Sequence, residues 1–160
     1  MSLLSSILYP APRLHESRLK NRFNGRWVVV TGASHGIGEA LVRRLMHYGA
    51  NLYLLARSEP ELQELCREAR AMGCRASYRC VDLRDRLALN SVCGDLAKTL
   101  PSVDFLFCNA GKSICRRLVD AADRLHDFDR TMDLNYRSMV ALSLTLLPAL
   151  RRTGGQLAQP

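Results

Sequence analysis

The chain has 160 residues, 48% of them hydrophobic and 24% charged, which is the balance of one ordinary globular domain and excludes a disordered or fibrous chain. The formal charge is +8 and the pI about 9.6, but half of that excess lies in the first 26 residues, where Arg13, Arg18, Lys20, Arg22 and Arg26 face Glu16 alone. Neither a basic stripe interleaved with aromatics nor a zinc-finger spacing accompanies it, so the expectation is a solvated basic arm over residues 1–25 and no nucleic-acid partner.

Met1 to Tyr9 is apolar but too short to span a bilayer, and the positive charges follow it rather than precede it, which argues against a secretory signal and a membrane span. The Ser- and Arg-containing stretch up to Arg22 leaves a transit-peptide reading open beside a cytoplasmic location. From Arg26 onward, short apolar runs alternate with segments of helical period, the pattern of βαβ units around a parallel sheet. Residues 27–31 read as a buried strand, and 37–48 as a helix with Ile37, Leu41, Leu45 and Tyr48 on one face before Gly49 stops it. Residues 51–55 form the second strand. A helix over 59–72 carries Leu62, Leu65, Cys66 and Ala69 inward, with Pro60 in its first turn and Gly73 as its stop.

The third strand spans 75–81, and Asp85 suits the N-cap of a helix carrying Leu89, Val92, Cys93 and Leu96. The fourth strand spans 103–108 and ends in Asn109-Ala110-Gly111. Residues 123–152 read as one long helix with Phe128, Met132, Asn135, Met139, Leu142 and Leu146 inward and a bend near Pro148. After it, Gly154 to Leu157 look like the entry to a fifth strand, but Ala158-Gln159-Pro160 lacks the β-branched run expected of one. The fourth strand is therefore expected to stand without a neighbour on one side. The six cysteines (Cys66, Cys74, Cys80, Cys93, Cys108 and Cys115) include no Cys-x-x-Cys pair and read as buried free thiols of a reducing compartment; no metal-ligand spacing occurs.

Thr31-Gly32-Ala33-Ser34-His35-Gly36-Ile37-Gly38 joins the first strand to the first long helix. Three glycines there let bare backbone approach a pyrophosphate, whose charge sits favourably at a helix N-terminus. The spacing is neither G-x-G-x-x-G nor a P-loop, and no Lys follows Gly38 to reach a γ-phosphate.

With Asp82, Asn109-Ala110-Gly111 and Asn135, this loop resembles the short-chain dehydrogenase/reductase family over residues 26 to about 155. The resemblance implies a Rossmann-type doubly wound α/β fold and hydride transfer between a nicotinamide cofactor and a carbonyl or alcohol. It assigns Gly32, Ser34, His35, Gly36, Ile37 and Gly38 to the cofactor loop, Asp82 and Leu83 to the adenine, and Asn109, Ala110 and Gly111 to the family's N-A-G element. Asn135 matches the helix asparagine of the catalytic Asn-Ser-Tyr-Lys tetrad, whose backbone carbonyl holds a water leading to the Lys. On its apolar helix line, the Asn135 amide also needs a definite hydrogen-bond partner. Blander roles stand beside these: Asp82 also suits the turn towards Asp85, and Asn109-Ala110-Gly111 a turn after a buried strand.

The family separates NAD from NADP at the end of the second strand, where a carboxylate accepts from the ribose 2′-hydroxyl. Ala56 occupies that position, followed by Arg57, whose planar guanidinium suits a 2′-phosphate. The cofactor expected is NADP(H), with NAD less favoured, and with added phosphate contacts from Ser34 and from His35 when it carries a proton. The family's Ser and Tyr-x-x-x-Lys do not occur in these 160 residues. The readings left open are a fragment, a truncated gene product or a pseudoenzyme, with a non-catalytic dinucleotide- or partner-binding module as the alternative function. A homo-oligomer is expected of a full-length form.

Overall fold

The computed structural model describes residues 15–159. In chain order these form α1 (Glu16–Phe23), β1 (Trp27–Thr31), α2 (Gly36–His47), β2 (Asn51–Ala56), α3 (Glu59–Ala71), β3 (Ala76–Cys80), α4 (Arg86–Thr99) and β4 (Phe105–Phe107). A 3-10 turn (Leu118–Ala121), α5 (Leu125–Met132), a π turn (Asp133–Arg137), α6 (Ser138–Thr153) and β5 (Gln156–Ala158) complete them. The five strands make one parallel sheet in the order β3-β2-β1-β4-β5.

Alternation along the strands divides the core in two. Val28, Val30, Leu52 and Leu54 pack with Val42 and Leu45 of α2 and Leu62 and Leu65 of α3. Val29, Tyr53, Leu55 and Leu106 point the other way, towards Leu89, Val92 and Leu96 of α4 and Leu142 and Leu146 of α6. Both sheet faces are thus covered by helices, as expected for a Rossmann-type arrangement, and each fully buried leucine contributes about 1.5–3 kcal/mol. Asp85 caps α4 as expected, accepting from the Leu87 and Ala88 N–H groups. At the amino end of the sheet the buried Asp104 accepts from the Trp27 N–H and from Arg26 Nη1, both at 2.9 Å, which ties the starts of β1 and β4 together.

The expectation of a chain ending before its fifth strand is corrected. β5 pairs with β4 in register Phe105↔Gln156 to Phe107↔Ala158, so β4 has a neighbour on each side. The Gln156 N–H donates to the Asp104 carbonyl and the Cys108 N–H to the Ala158 carbonyl, each at 2.9 Å. Such pairing needs backbone groups, not β-branched side chains, so the absence of a Val/Ile run did not forbid it.

The long helix is corrected too. The π turn inserts about one extra residue, so a 3.6-residue line drawn across it loses phase. Leu142 and Leu146 are buried, but Phe128 and Met132 are 51% and 55% exposed, and Asn135 is exposed as well. The helix continues through Pro148 to Thr153. On α2 the inward face is Gly38, Val42, Leu45 and Met46, leaving Ile37 81% exposed. Of the basic arm, residues 1–14 lie outside the described residues; from Glu16 it is helical, and Phe23 packs on Phe105 and Tyr48. Cys66, Cys74, Cys93 and Cys108 are buried, whereas Cys80 and Cys115 are exposed, and all six thiols are free. Among the described residues no helix is long and apolar enough to cross a membrane.

Candidate functional site

The site lies at the carboxyl ends of the strands, where connections from β1 leave on one side and those from β4 on the other. Two side chains lock these connections together. The Ala110 N–H donates to the Thr31 hydroxyl at 2.8 Å, and Asn109 Nδ2 donates to the Thr31 and Gly32 carbonyls at 3.2 and 3.3 Å. The glycines are what allow this closeness. A Cβ on Gly38 would stand 2.0 Å from the Gly32 carbonyl oxygen, and one on Gly32, whose φ is +64°, would meet the Ala110 Cα at 2.9 Å. Backbone therefore presses on backbone beneath the start of α2, leaving its first N–H groups facing outward.

Above this floor opens a cleft of about 380 Å³. Gly32, Ser34 and His35 form one wall; Ala56, Arg57 and Ser58, leaving β2, and Asp82, Leu83 and Arg84, leaving β3, form the other; Asn109 to Lys112 and Leu134 close it. Nine of the twelve residues expected to hold a cofactor come together here. Gly36, Ile37 and Gly38 do not line it: Gly38 is buried under the loop and Ile37 points out from the first turn of α2.

Arg57 is exposed and forms no ion pair among the described residues. Asp82, by contrast, is gripped by Arg84, whose hydrogen-bonded guanidinium is the main influence holding the carboxyl below its ordinary range; the charge of Arg57 acts in the same direction. Asp82 also begins the turn considered for it, its carbonyl accepting from the Asp85 N–H at 3.0 Å. His35 Nδ1 lies 2.8 Å from Ser34 Oγ, and its Nε2 lies 3.7 Å from the Glu61 carboxylate. Cys108 sits beneath the site, where burial pushes its thiol up to about 11 and keeps it protonated at neutral pH.

Asn135 stands outside this cleft in a second hollow of about 400 Å³, with Ile114, Phe128, Thr131 and Met132. Its amide has the definite partner expected of it, though at an exposed position rather than a buried one. Oδ1 accepts from the Lys112 N–H and Nδ2 donates to the Lys112 carbonyl, each at 2.9 Å. Lys112 borders both hollows, so this pair of hydrogen bonds fixes the ridge between them. Sequence reasoning missed Arg84 and Lys112. The signal was positional: both follow the carboxyl end of a strand in an open α/β sheet, where ligands bind.

The closely packed Gly32 and Gly38, the outward N–H groups of α2 and the cationic Arg57 fit the phosphates of a dinucleotide. The fold and site define the class as a Rossmann-type α/β domain with a cleft at the carboxyl ends of its strands. A family model described as short chain dehydrogenase matches residues 26–159, and the chain belongs to that family. A fatty acyl-CoA reductase of Acinetobacter baylyi is 38% identical over 143 residues, covering 89% of this chain and 48% of that protein. The structure of L-sorbose reductase from Gluconobacter frateurii complexed with NADPH and L-sorbose superposes with a TM-score of 0.77 at 27% identity, covering 86% of this chain and 52% of the other. An alcohol dehydrogenase from Thermococcus sibiricus complexed with 5-hydroxy-NADP gives 0.76 at 28% identity, covering 85% and 57%. The chain thus spans about half the length of the relatives it matches.

Proposed function

We propose that this chain is the cofactor-binding half of an NADP(H)-dependent oxidoreductase acting on a carbonyl or alcohol. The observation that carries the reading is the end of β2, where Ala56 stands in place of a carboxylate and the exposed Arg57, without an ion pair among the described residues, lines the cleft. Gly32, Ser34 and His35 seat the pyrophosphate and ribose side, Gly36, Ile37 and Gly38 contribute through the backbone that starts α2, and Asp82 and Leu83 border the adenine. Asn109, Ala110 and Gly111 hold the floor towards the nicotinamide. The bound nicotinamide supplies or accepts the hydride. Asn135 is a positioning residue that holds Lys112 and the ridge between the two hollows, and the substrate belongs on the far side of that ridge. Two of the structural neighbours were solved with NADPH or an NADP derivative, which supports the choice of cofactor.

In this reading residues 26–160 are the dinucleotide-binding domain, residues 1–25 a basic arm, and the location cytoplasmic. Exposed Phe128, Met132, Tyr136 and Leu147 support a homo-oligomeric full-length form. The alternative is a dinucleotide- or partner-binding module without chemistry. Dissociation constants for NADPH and NADH, read by nucleotide fluorescence, test the cofactor; equal values would overturn the reading. The 160-residue polypeptide is expected to bind NADPH without turnover against a panel of carbonyls, because general acid–base catalysis is worth about 10²–10⁴-fold and no Tyr-Lys pair supplies it. Turnover by this polypeptide would show that another group does.

A further inference from the structure

The wall of the cleft that follows β3 carries a contact that no motif announced. Arg84, two residues after Asp82, folds back onto it. Its backbone N–H donates to Asp82 Oδ1 at 3.0 Å, its Nε lies 3.0 Å from each carboxylate oxygen, and its Nη2 donates to Oδ2. Arg57 lines the same cleft close enough for its charge to act on that carboxylate, yet it takes no ion-pair partner among the described residues. Asp82 is the only carboxylate lining the cleft among them.

We propose that Arg84 is a specificity-determining residue that acts through Asp82: by occupying the carboxylate, it leaves the guanidinium of Arg57 free for a 2′-phosphomonoester. The proposal rests on the reading of Arg57 as the phosphate partner. A guanidinium forks onto one carboxylate or one phosphate with its best geometry, and cannot serve both equally. Without Arg84, the neighbouring anion competes for Arg57 and also faces the incoming phosphate with a bare negative charge. With Arg84 in place, the pair is neutral. A carboxylate has about four acceptor positions. The backbone N–H and Nε take both positions of Oδ1, and Nε and Nη2 both positions of Oδ2, so Arg84 engages the whole carboxylate. Arg84 is therefore a positioning residue that need not touch the cofactor. The competing, merely structural role is to brace the turn from Asp82 to Asp85, and it makes a different prediction.

The test measures dissociation constants for NADPH and NADH, together with Tm, in the full chain and its R84Q, R84K and D82N/R84Q variants. R84Q is expected to weaken NADPH about tenfold while NADH changes by less than about twofold, the scale of one charge-assisted contact. R84K, which keeps the charge but not the fork, should fall between. Adding D82N to R84Q should restore the NADPH/NADH ratio, because the competitor for Arg57 is gone. If R84Q weakens both nucleotides equally, or moves Tm alone, the brace is sufficient and the proposal is overturned. Failure of D82N to restore the ratio would instead make Arg84 a direct phosphate ligand, which also overturns it. A wild-type protein that does not prefer NADPH sinks the reading of Arg57 and this proposal with it, whereas a preference that survives R84Q sinks the proposal alone.

Discussion

The two walls of the cleft are built on opposite principles. On the side of β1 and β4, Gly32, Gly38, Thr31 and Asn109 are held by close backbone approach and hydrogen bonds that are partly or wholly out of water. On the side of β2 and β3, Asp82 and Arg84 are partly exposed and held by charge, and Arg57 is exposed with no ion pair among the described residues. The first wall leaves no room for change, since the atom opposite each glycine is backbone and cannot step aside. The second can be rearranged by swapping one side chain. On the proposed reading, shape at the first wall governs whether a dinucleotide binds, and charge at the second governs which one.

The strongest test of that contrast is Gly38→Val. Its Cβ would collide with the Gly32 carbonyl, so the loop must move: overpacking costs about 1–3 kcal/mol or more, and NADPH binding should be lost beyond detection. Gly36→Ala is its control, because the space there is open and only the positive φ of +58° is strained, at about 1–2 kcal/mol. Thermal melts and nucleotide titrations of the two variants should rank them in that order; equal effects would break the steric account.

Next in size, Arg57→Asp should reverse the preference from NADPH to NADH, shifting the ratio of dissociation constants by about ten- to a hundredfold with Tm little changed. A fall in both affinities together would place Arg57 with the structural wall. Thr31→Val should cost about 1–3 kcal/mol in denaturant melts, because it leaves the Ala110 N–H without its acceptor. Nucleotide selectivity should stay put. The acid response should be smaller again. The folded pKa of Asp82 is lowered, chiefly by Arg84, so its contribution is complete above the ordinary carboxylate range and is lost as pH falls through the lower folded value. Acid melts of D82N and wild type should therefore separate above about pH 4 and converge below it. Least visible is thiol reactivity: Cys80 and Cys115 should be labelled by a thiol reagent at neutral pH while Cys108, buried and shifted to about 11, resists until the protein unfolds.

Much of the first wall could be read from the chain, and little of the second. A strand-to-helix loop with three glycines marks close backbone approach within a short window, and Asn109-Ala110-Gly111 follows directly from the end of a buried strand. Arg57 was legible because Ala56 beside it lacks a carboxylate. Arg84 was not, since an arginine in a turn reads as solvated unless its partner is known. Ile37 and Phe128 were misplaced for a related reason: helical period gives a spacing, while the packed Gly38 and the π turn at Asp133–Arg137 decide which face turns inward.

By itself the sequence determined the alternation of strands and helices, the cap at Asp85 and the glycine loop, because each is encoded within a few neighbouring residues through periodicity, capping or positive φ. Only the tertiary structure decided the strand order β3-β2-β1-β4-β5, the pairing of β5 and the placing of Arg57 in the same cleft as Asp82 and Arg84. It also joined Asn109 to Thr31 across 78 residues and Asn135 to Lys112 across 23. Those contacts exist because crossovers through packed helices bring distant strand ends to one edge of the sheet, and no local signal records which ends will meet.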